Sequence, residues 1–243
     1  MKYPFTVSID EAISGLIYRL ISAEANQSTS IIFNINWQYR LMSSMSTLRE
    51  ICLYKTFEEE KIKDNEILVI MSPETIKFSP IMKSSHIYLE NKRKLASKMD
   101  TDDIEFCLAE PGFKYGRRYI EFILESEPIE RNIIIGVTNY RANYEFNESK
   151  NFYGFMLSEC KIVFNINNKM ELCDYGIPTK IGDKIGMMIE LSKNEREVCY
   201  FINGEPVGIA FRDLPLEKLY PCVCLGFPGT KVQVNSKFNF PVN

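Results

Sequence analysis

Between Gly182 and Phe211 the chain reads GDKIGMMIELSKNEREVCYFINGEPVGIAF, and its apolar residues fall on every second position. Ile185, Met187, Ile189 and Leu191 share one face of a strand, and Val198, Tyr200 and Ile202 share one face of the next, because successive side chains of a strand point to opposite sides. The charged segment KNERE reads as a solvent-facing loop between them. Asn203-Gly204 supplies two residues that tolerate positive φ, which a two-residue hairpin turn requires. In the third strand Val207, Ile209 and Phe211 are expected to pack, with Gly208 and Ala210 leaving room on the opposite face.

The same short-strand texture runs from His86 onward. IEFCLA, RYIEFIL, NIIIGV, GFML, CKIVFNI, LYPCVCLGF and VQVNSKF each read as a strand, with turn signals between them. No second long amphipathic stretch appears there, which argues against an enzyme fold of alternating strands and helices. Many short strands without helices predict an all-β sandwich from His86 onward; residues 84–243 are taken as that domain.

The N-terminal part differs. Ile13, Leu16, Ile17, Leu20 and Ile21 form one apolar stripe, so Ser8–Glu24 reads as a helix, with Ser8 or Asp10 as its cap. YPFTVS before it, and SIIFNINW and EILVIM after it, read as strands. Residues 1–72 are therefore expected to form a small α+β domain. The element order, and the stretch TLREICLYKTFEEEKIKDNEILVIM, resemble a ubiquitin-like domain, but only one strand of its opening hairpin is visible and the terminal Gly-Gly is missing. A small α+β domain of another type is the alternative. The prolines and serines of SPETIKFSPIMKSS mark a boundary, and residues 73–83 are read as a connector.

The block Gly182–Phe211 resembles the most recognisable part of the SPRY (B30.2-like) family. Other pieces resemble the family in its own order: GFKYGRRYIEFIL with its Gly-Arg-x-Tyr-x-Glu pattern, IIIGV, FYGFML with Tyr153 where the family often has Trp, and LYPCVCLGFPGTKVQVN. The resemblance spans about residues 84–238. It implies a bent antiparallel sandwich without enzymatic activity that recognises a protein or peptide through loops at one end. It also implies where those loops lie. One follows Gly-Val and holds Tyr140, Arg141, Tyr144 and Phe146; one follows the Tyr-Pro strand and holds Phe227; one precedes the Gly-Arg-x-Tyr strand and holds Lys114 and Tyr115. Tyr and Arg are frequent interface anchors because they bury large area yet keep a polar end. The expected partner-binding residues are Lys114, Tyr115, Tyr140, Arg141, Tyr144 and Phe227; the alternative for Tyr144, Phe146 and Phe227 is that they pack back onto the sandwich.

Composition narrows the chemistry. Among 243 residues, 45% are hydrophobic and 25% charged, and the net charge is −3, so no global basic field points to nucleic acid. No apolar run approaches the ~20 residues that span a bilayer, and the N-terminus does not read as a signal peptide. Seven cysteines at irregular spacing read as reduced thiols, so a cytoplasmic or nuclear location is expected; a monomer is expected as well. Cys222 and Cys224 share one strand face and read as packing residues rather than zinc ligands. His86 is the single histidine, at the expected domain junction, with no marked nucleophile near it, and reads as structural or solvated. No phosphate-loop or dinucleotide motif is present, and no cofactor is expected. The reading is a non-catalytic adaptor or scaffold whose partners lie among ubiquitin-ligase or chromatin components. The alternatives are an enzyme with an unrecognised site and a regulator within a nucleic-acid complex.

Overall fold

The computed structural model describes residues 40–43, 49–50, 68–71, 75–126, 132–139, 151–166, 169–192 and 195–235. The chain divides into two compact units. One comprises Met1–Glu74 with Tyr115–Arg118 and Ser192–Asn194; the other comprises the remainder.

In the first unit, β1 (Arg40–Ser43) pairs antiparallel with β2 (Arg49–Glu50) and with β3 (Leu68–Met71). Strand β3 falls where the sequence predicts one, whereas β1 and β2 were not foreseen. The expected helix Ser8–Glu24 and the strands at YPFTVS and SIIFNINW lie outside the described residues, and the ubiquitin-like resemblance rests on the sequence alone.

The sandwich consists of two seven-stranded sheets. In order across the first sheet run β12 (Lys169–Asp174), β11 (Lys161–Ile166), β10 (Phe152–Met156), β9 (Ile133–Asn139), β16 (Leu219–Leu225), β7 (Glu105–Glu110) and β4 (Lys77–Lys83). The second has β15 (Glu205–Phe211), β14 (Arg196–Ile202), β13 (Lys184–Leu191), β8 (Gly116–Ser126), β17 (Lys231–Asn235), β6 (Leu95–Lys98) and β5 (Ile87–Glu90). Every pairing given for these strands is antiparallel. This is the fold class the alternating pattern predicts.

The main core lies between the sheets. Ile133, Ile135 and Val137 of β9 meet Ile185, Met187 and Ile189 of β13 and Val198 and Tyr200 of β14 in one buried cluster. Tyr200 is fully buried, and its hydroxyl donates to the Ile135 carbonyl of the opposite sheet at 2.7 Å, so its polar end costs little to bury. Tyr175 crosses from the β12–β13 connection, donates to the Gly208 carbonyl at 2.6 Å and stands edge-on to Phe155. Tyr153, in the family's Trp position, is buried edge-on against Phe211 at 5.5 Å.

The alternation left β9 residues for the other face as well. Ile134 joins Met82, Phe106, Leu108, Phe152, Met156, Val163, Cys222 and Cys224 in a second buried cluster. Burial pushes the Cys222 and Cys224 thiols well above the ordinary thiol value, and both act as packing groups, as expected. The six cysteines among the described residues are free thiols.

One detail departs from the sequence reading. Ile209 is 41% exposed rather than packed. Strand β15 carries irregularities on both sides of Cys199–Tyr200, so Ile209 stands opposite Cys199 on the outer face while Val207 and Ala210 pack toward the core. Each extra residue in a bulge shifts the strand's facing by one position, and strict alternation cannot foresee it. Lys77–Lys83, within the stretch read as a connector, is the edge strand beside β7, with Ile76, Phe78 and Met82 buried. Pro80 sits within that edge strand, where a missing N–H is tolerated.

Candidate binding surface

Strand directions sort the connections into two rims. Asn139 at the end of β9 pairs with Leu219 at the start of β16, whereas Ile133 pairs with Leu225. The β7–β8, β9–β10 and β15–β16 connections therefore open on the Asn139 side. The β6–β7, β12–β13, β14–β15 and β16–β17 connections open on the Leu225 side.

At the Asn139 rim the β15–β16 connection is held firmly. Arg196 at the start of β14 donates through Nε to the Leu214 carbonyl at 2.9 Å and through Nη2 to the Pro215 carbonyl at 2.5 Å. Leu214 N–H returns to the Arg196 carbonyl at 3.1 Å. Asn139 Nδ2 donates to Glu217 Oε2 at 2.6 Å. Between these ties Leu216 stands 72% exposed. A large apolar side chain on a pinned loop is an anchor that loses little freedom when it is covered. The Asn139 side-chain carbonyl oxygen is buried and has no hydrogen-bond partner among the described residues.

The β7–β8 connection meets the same rim. Phe113 and Leu219 exchange two backbone hydrogen bonds, at 2.9 and 3.0 Å. Gly112 lies against the Tyr220 ring, where a Cβ would fall 2.6 Å from ring carbons, so only glycine permits this approach. Lys218 Nζ lies over the Tyr220 ring, 5.4 Å from its centroid.

The predicted site residues divide between the rims. Lys114 is exposed and Tyr115 half-buried, both in the β7–β8 connection at the Asn139 side. Tyr140 follows directly on Asn139; Tyr140, Arg141, Tyr144 and Phe146 lie outside the described residues. Phe227 is half-buried in the β16–β17 turn at the far rim. From Leu219 to Leu225 strand β16 advances roughly 20 Å, so the strand ends do not bring Phe227 beside Asn139 as the one-surface expectation required. Sequence reading missed Leu216, Lys218, Asn139 and Arg196. The run RDLPLEKLYP has no alternation to read, and the pairing of Arg196 with a connection about twenty positions on is a product of folding.

The far rim is organised around charge. Lys98 is buried, and its Nζ donates to Glu105 Oε2 and, at 2.9 Å, to Thr101 Oγ1. His86 Nδ1 meets Glu105 Oε1 at 2.7 Å, which identifies the single histidine as a structural partner of a carboxylate. That bond, with the negative charge of Glu105, raises the His86 pKa above its usual value. Burial works to raise the Glu105 pKa, but hydrogen bonds from Lys98, His86 and Ser84 outweigh it and leave the pKa lowered. The Phe227 turn is sewn to this cluster: Gly229 N–H donates to the Lys98 carbonyl and Lys98 N–H to the Thr230 carbonyl, each at 3.0 Å. Among the described residues no group of His, Cys, Asp and Glu is placed to hold a metal ion, and no helix is long and apolar enough to cross a membrane.

Two seven-stranded antiparallel sheets that share one buried core define a β-sandwich. The model of the SPRY domain family matches residues 117–239, just over half of the chain, and the chain belongs to the SPRY family. SPRY domains are generally protein-interaction modules rather than enzymes. Over 62 residues the chain is 45% identical to the Ran-binding proteins 9/10 homolog of Drosophila melanogaster, covering 25% of this chain and 6% of that protein. Over 135 residues it is 26% identical to F-box/SPRY domain-containing protein 1 of Drosophila mojavensis, covering 52% of each. The chain thus spans about half the length of the F-box/SPRY relative and a small part of the other. Among solved structures, the SPRY domain of human HERC1 superposes with a TM-score of 0.57 at 19% identity, covering 67% of this chain and 99% of that one. The TRIM65 PSpry domain gives 0.51 at 14% identity, covering 67% and 90%. These structural likenesses speak to the fold.

Proposed function

We propose that this protein is a non-catalytic adaptor whose SPRY sandwich captures a protein partner at the Asn139 rim. One observation carries the reading: Leu216 is 72% exposed on a connection pinned by Arg196 and Asn139. Preorganised apolar surface with a polar surround is what a binding module needs, and convergent reactive groups are what it lacks. Lys114 of the β7–β8 connection adds to this rim; Tyr140, Arg141 and Tyr144, which follow β9 in the sequence, and Tyr115 are taken as further partner contacts. Phe227 belongs to the other rim and is not assigned to this surface. The relatives named for an F-box beside a SPRY domain favour a ubiquitin-ligase assembly over a chromatin complex, with the sandwich selecting what is brought in.

The test compares partner capture by the full chain, from an extract and quantified by mass spectrometry, with capture by Leu216→Asp and by Tyr140→Ala/Arg141→Ala. Both variants are expected to lose at least about tenfold of the specific partner, and Leu216→Asp to melt close to the parent, because surface changes typically alter stability by no more than ~0.5 kcal/mol. Undiminished capture by both variants would refute the assignment of this rim.

A further inference from the structure

The two sheets of the sandwich have four edges, and three of them are blunted. Strand β4 carries Pro80 and a break in register between Phe78 and Lys83. Strand β15 carries Pro206, Gly208 at φ 127° and two breaks in register. Strand β5 has four residues and runs directly into a 3-10 turn over Asn91–Arg93. Proline, bulges and shortness are devices that keep an edge from accepting another strand. Strand β12 has none of them. Its six residues, KMELCD, follow β11 without a break in register, and Met170 and Leu172 are 48% and 49% exposed.

The ladder shows which backbone groups face outward. Tyr175 N–H donates to the Cys160 carbonyl at 2.7 Å, in register with the β11–β12 pairs. Hydrogen-bonded and non-hydrogen-bonded pairs alternate in an antiparallel ladder, so Cys173, Glu171 and Lys169 also bond toward β11. The N–H and C=O groups of Met170, Leu172 and Asp174 therefore point to the open edge. Leu172 stands opposite Val163 and Met170 opposite Asn165, so both side chains share the face of a buried residue of the second cluster.

Charge sets the occupant. Lys169 is bonded to Glu171 at 2.6 Å, which closes the charges of the other face. Asp174 is exposed, and its cross-strand neighbour Lys161 is bonded to Glu159 at 2.9 Å. A basic residue opposite Asp174 complements it. A second copy of β12 fits poorly. The two-fold register that pairs Met170 with Leu172 sets Glu171 against Glu171, and the one that pairs Leu172 with Leu172 sets Met170 against Asp174.

We infer that β12 accepts an extended segment of a partner protein as an added antiparallel strand. The segment carries Lys or Arg opposite Asp174, then apolar residues two and four positions later, opposite Leu172 and Met170. Backbone bonds hold it and the alternate side chains select it. This surface is separate from the Asn139 rim, and the inference does not depend on that assignment.

The experiment is selection of random displayed dodecapeptides on this chain, on M170K/L172K, on D174K and on L216D, followed by amide exchange with a selected synthetic peptide. Selected peptides are expected to show Lys or Arg followed at two and four positions by Leu, Ile, Val or Phe. Their affinity should fall at least tenfold on M170K/L172K and stay unchanged on L216D. On D174K the preference at the basic position should turn to Asp or Glu, by about threefold. Exchange of the Met170 and Leu172 amides should slow at least tenfold on binding. No selection, peptides without alternation, equal binding by M170K/L172K, or unslowed Met170 and Leu172 amides would each overturn the inference. So would binding lost on L216D but kept on M170K/L172K, which places the peptides at the Asn139 rim. A dimer of the parent chain in sedimentation that M170K/L172K abolishes would make a second copy the occupant and overturn it as well.

Discussion

Lys98 is the residue whose environment is least like its type. Its side chain is wholly shielded, and Glu105 beside it is nearly so. Removing one partner strands a buried charge, so Lys98→Met is expected to cost about 3–5 kcal/mol in urea unfolding. Lys98→Met/Glu105→Leu should recover most of that, because two apolar groups leave no charge stranded. His86 gives a pH signature. Its pKa is raised in the folded state, so the stabilisation from its bond to Glu105 is complete below the unfolded value near 6.5 and fades as pH climbs through the folded one. The Tm deficit of His86→Ala should therefore be plain at about pH 5.5 and largely gone at about pH 8.5. A deficit of equal size at both would show that the ring acts through packing instead.

At the scale of elements, close approaches and turns decide what can be changed. A Cβ on Gly136 would lie 2.1 Å from the Tyr153 carbonyl oxygen across the β9–β10 pair. Backbone cannot move aside there, so Gly136→Ala is expected to abolish soluble folded protein or lower Tm steeply. The β14–β15 hairpin offers a milder case. Asn203 has φ 53° and Gly204 φ 92°, and Ile202 pairs with Glu205, which is the two-residue turn the Asn-Gly pair predicts. Asn203 also accepts from Lys184 N–H at 3.0 Å and donates to Asp183 at 2.9 Å, tying the turn to β13. Asn203→Ala loses those bonds and adds positive-φ strain, for an expected loss of roughly 2 kcal/mol by thermal denaturation.

These same elements show what the sequence could reveal. β13 and β14 alternate strictly, and each predicted face is buried. β12 escaped notice because KMELCD is an exposed edge strand with no dry face to create a period. LASK of β6 is short and mixed, and its Lys98 faces inward only because Glu105 and Thr101 meet it there. Bulges in β15 moved Ile209 outward without leaving a mark in the pattern. Of the candidate site, Lys114 and Tyr115 were placed by the family resemblance at the rim that Asn139 shares. Leu216 and Lys218 became visible only once β16 lay antiparallel to β9 and the Phe113 bridge formed beside it.

At the scale of the whole molecule, strand β16 separates the proposed binding rim at Asn139 from the Phe227 turn at its other end, and the proposal turns on which of the two meets the partner. Site-specific photocrosslinking reads that choice directly. A benzophenone side chain is placed at position 216 in one copy of this chain and at position 227 in another, and both are irradiated in the same extract. Crosslinks to a specific protein from position 216, with none from 227, are the predicted result. The same protein crosslinked from 227 and not from 216 would contradict it.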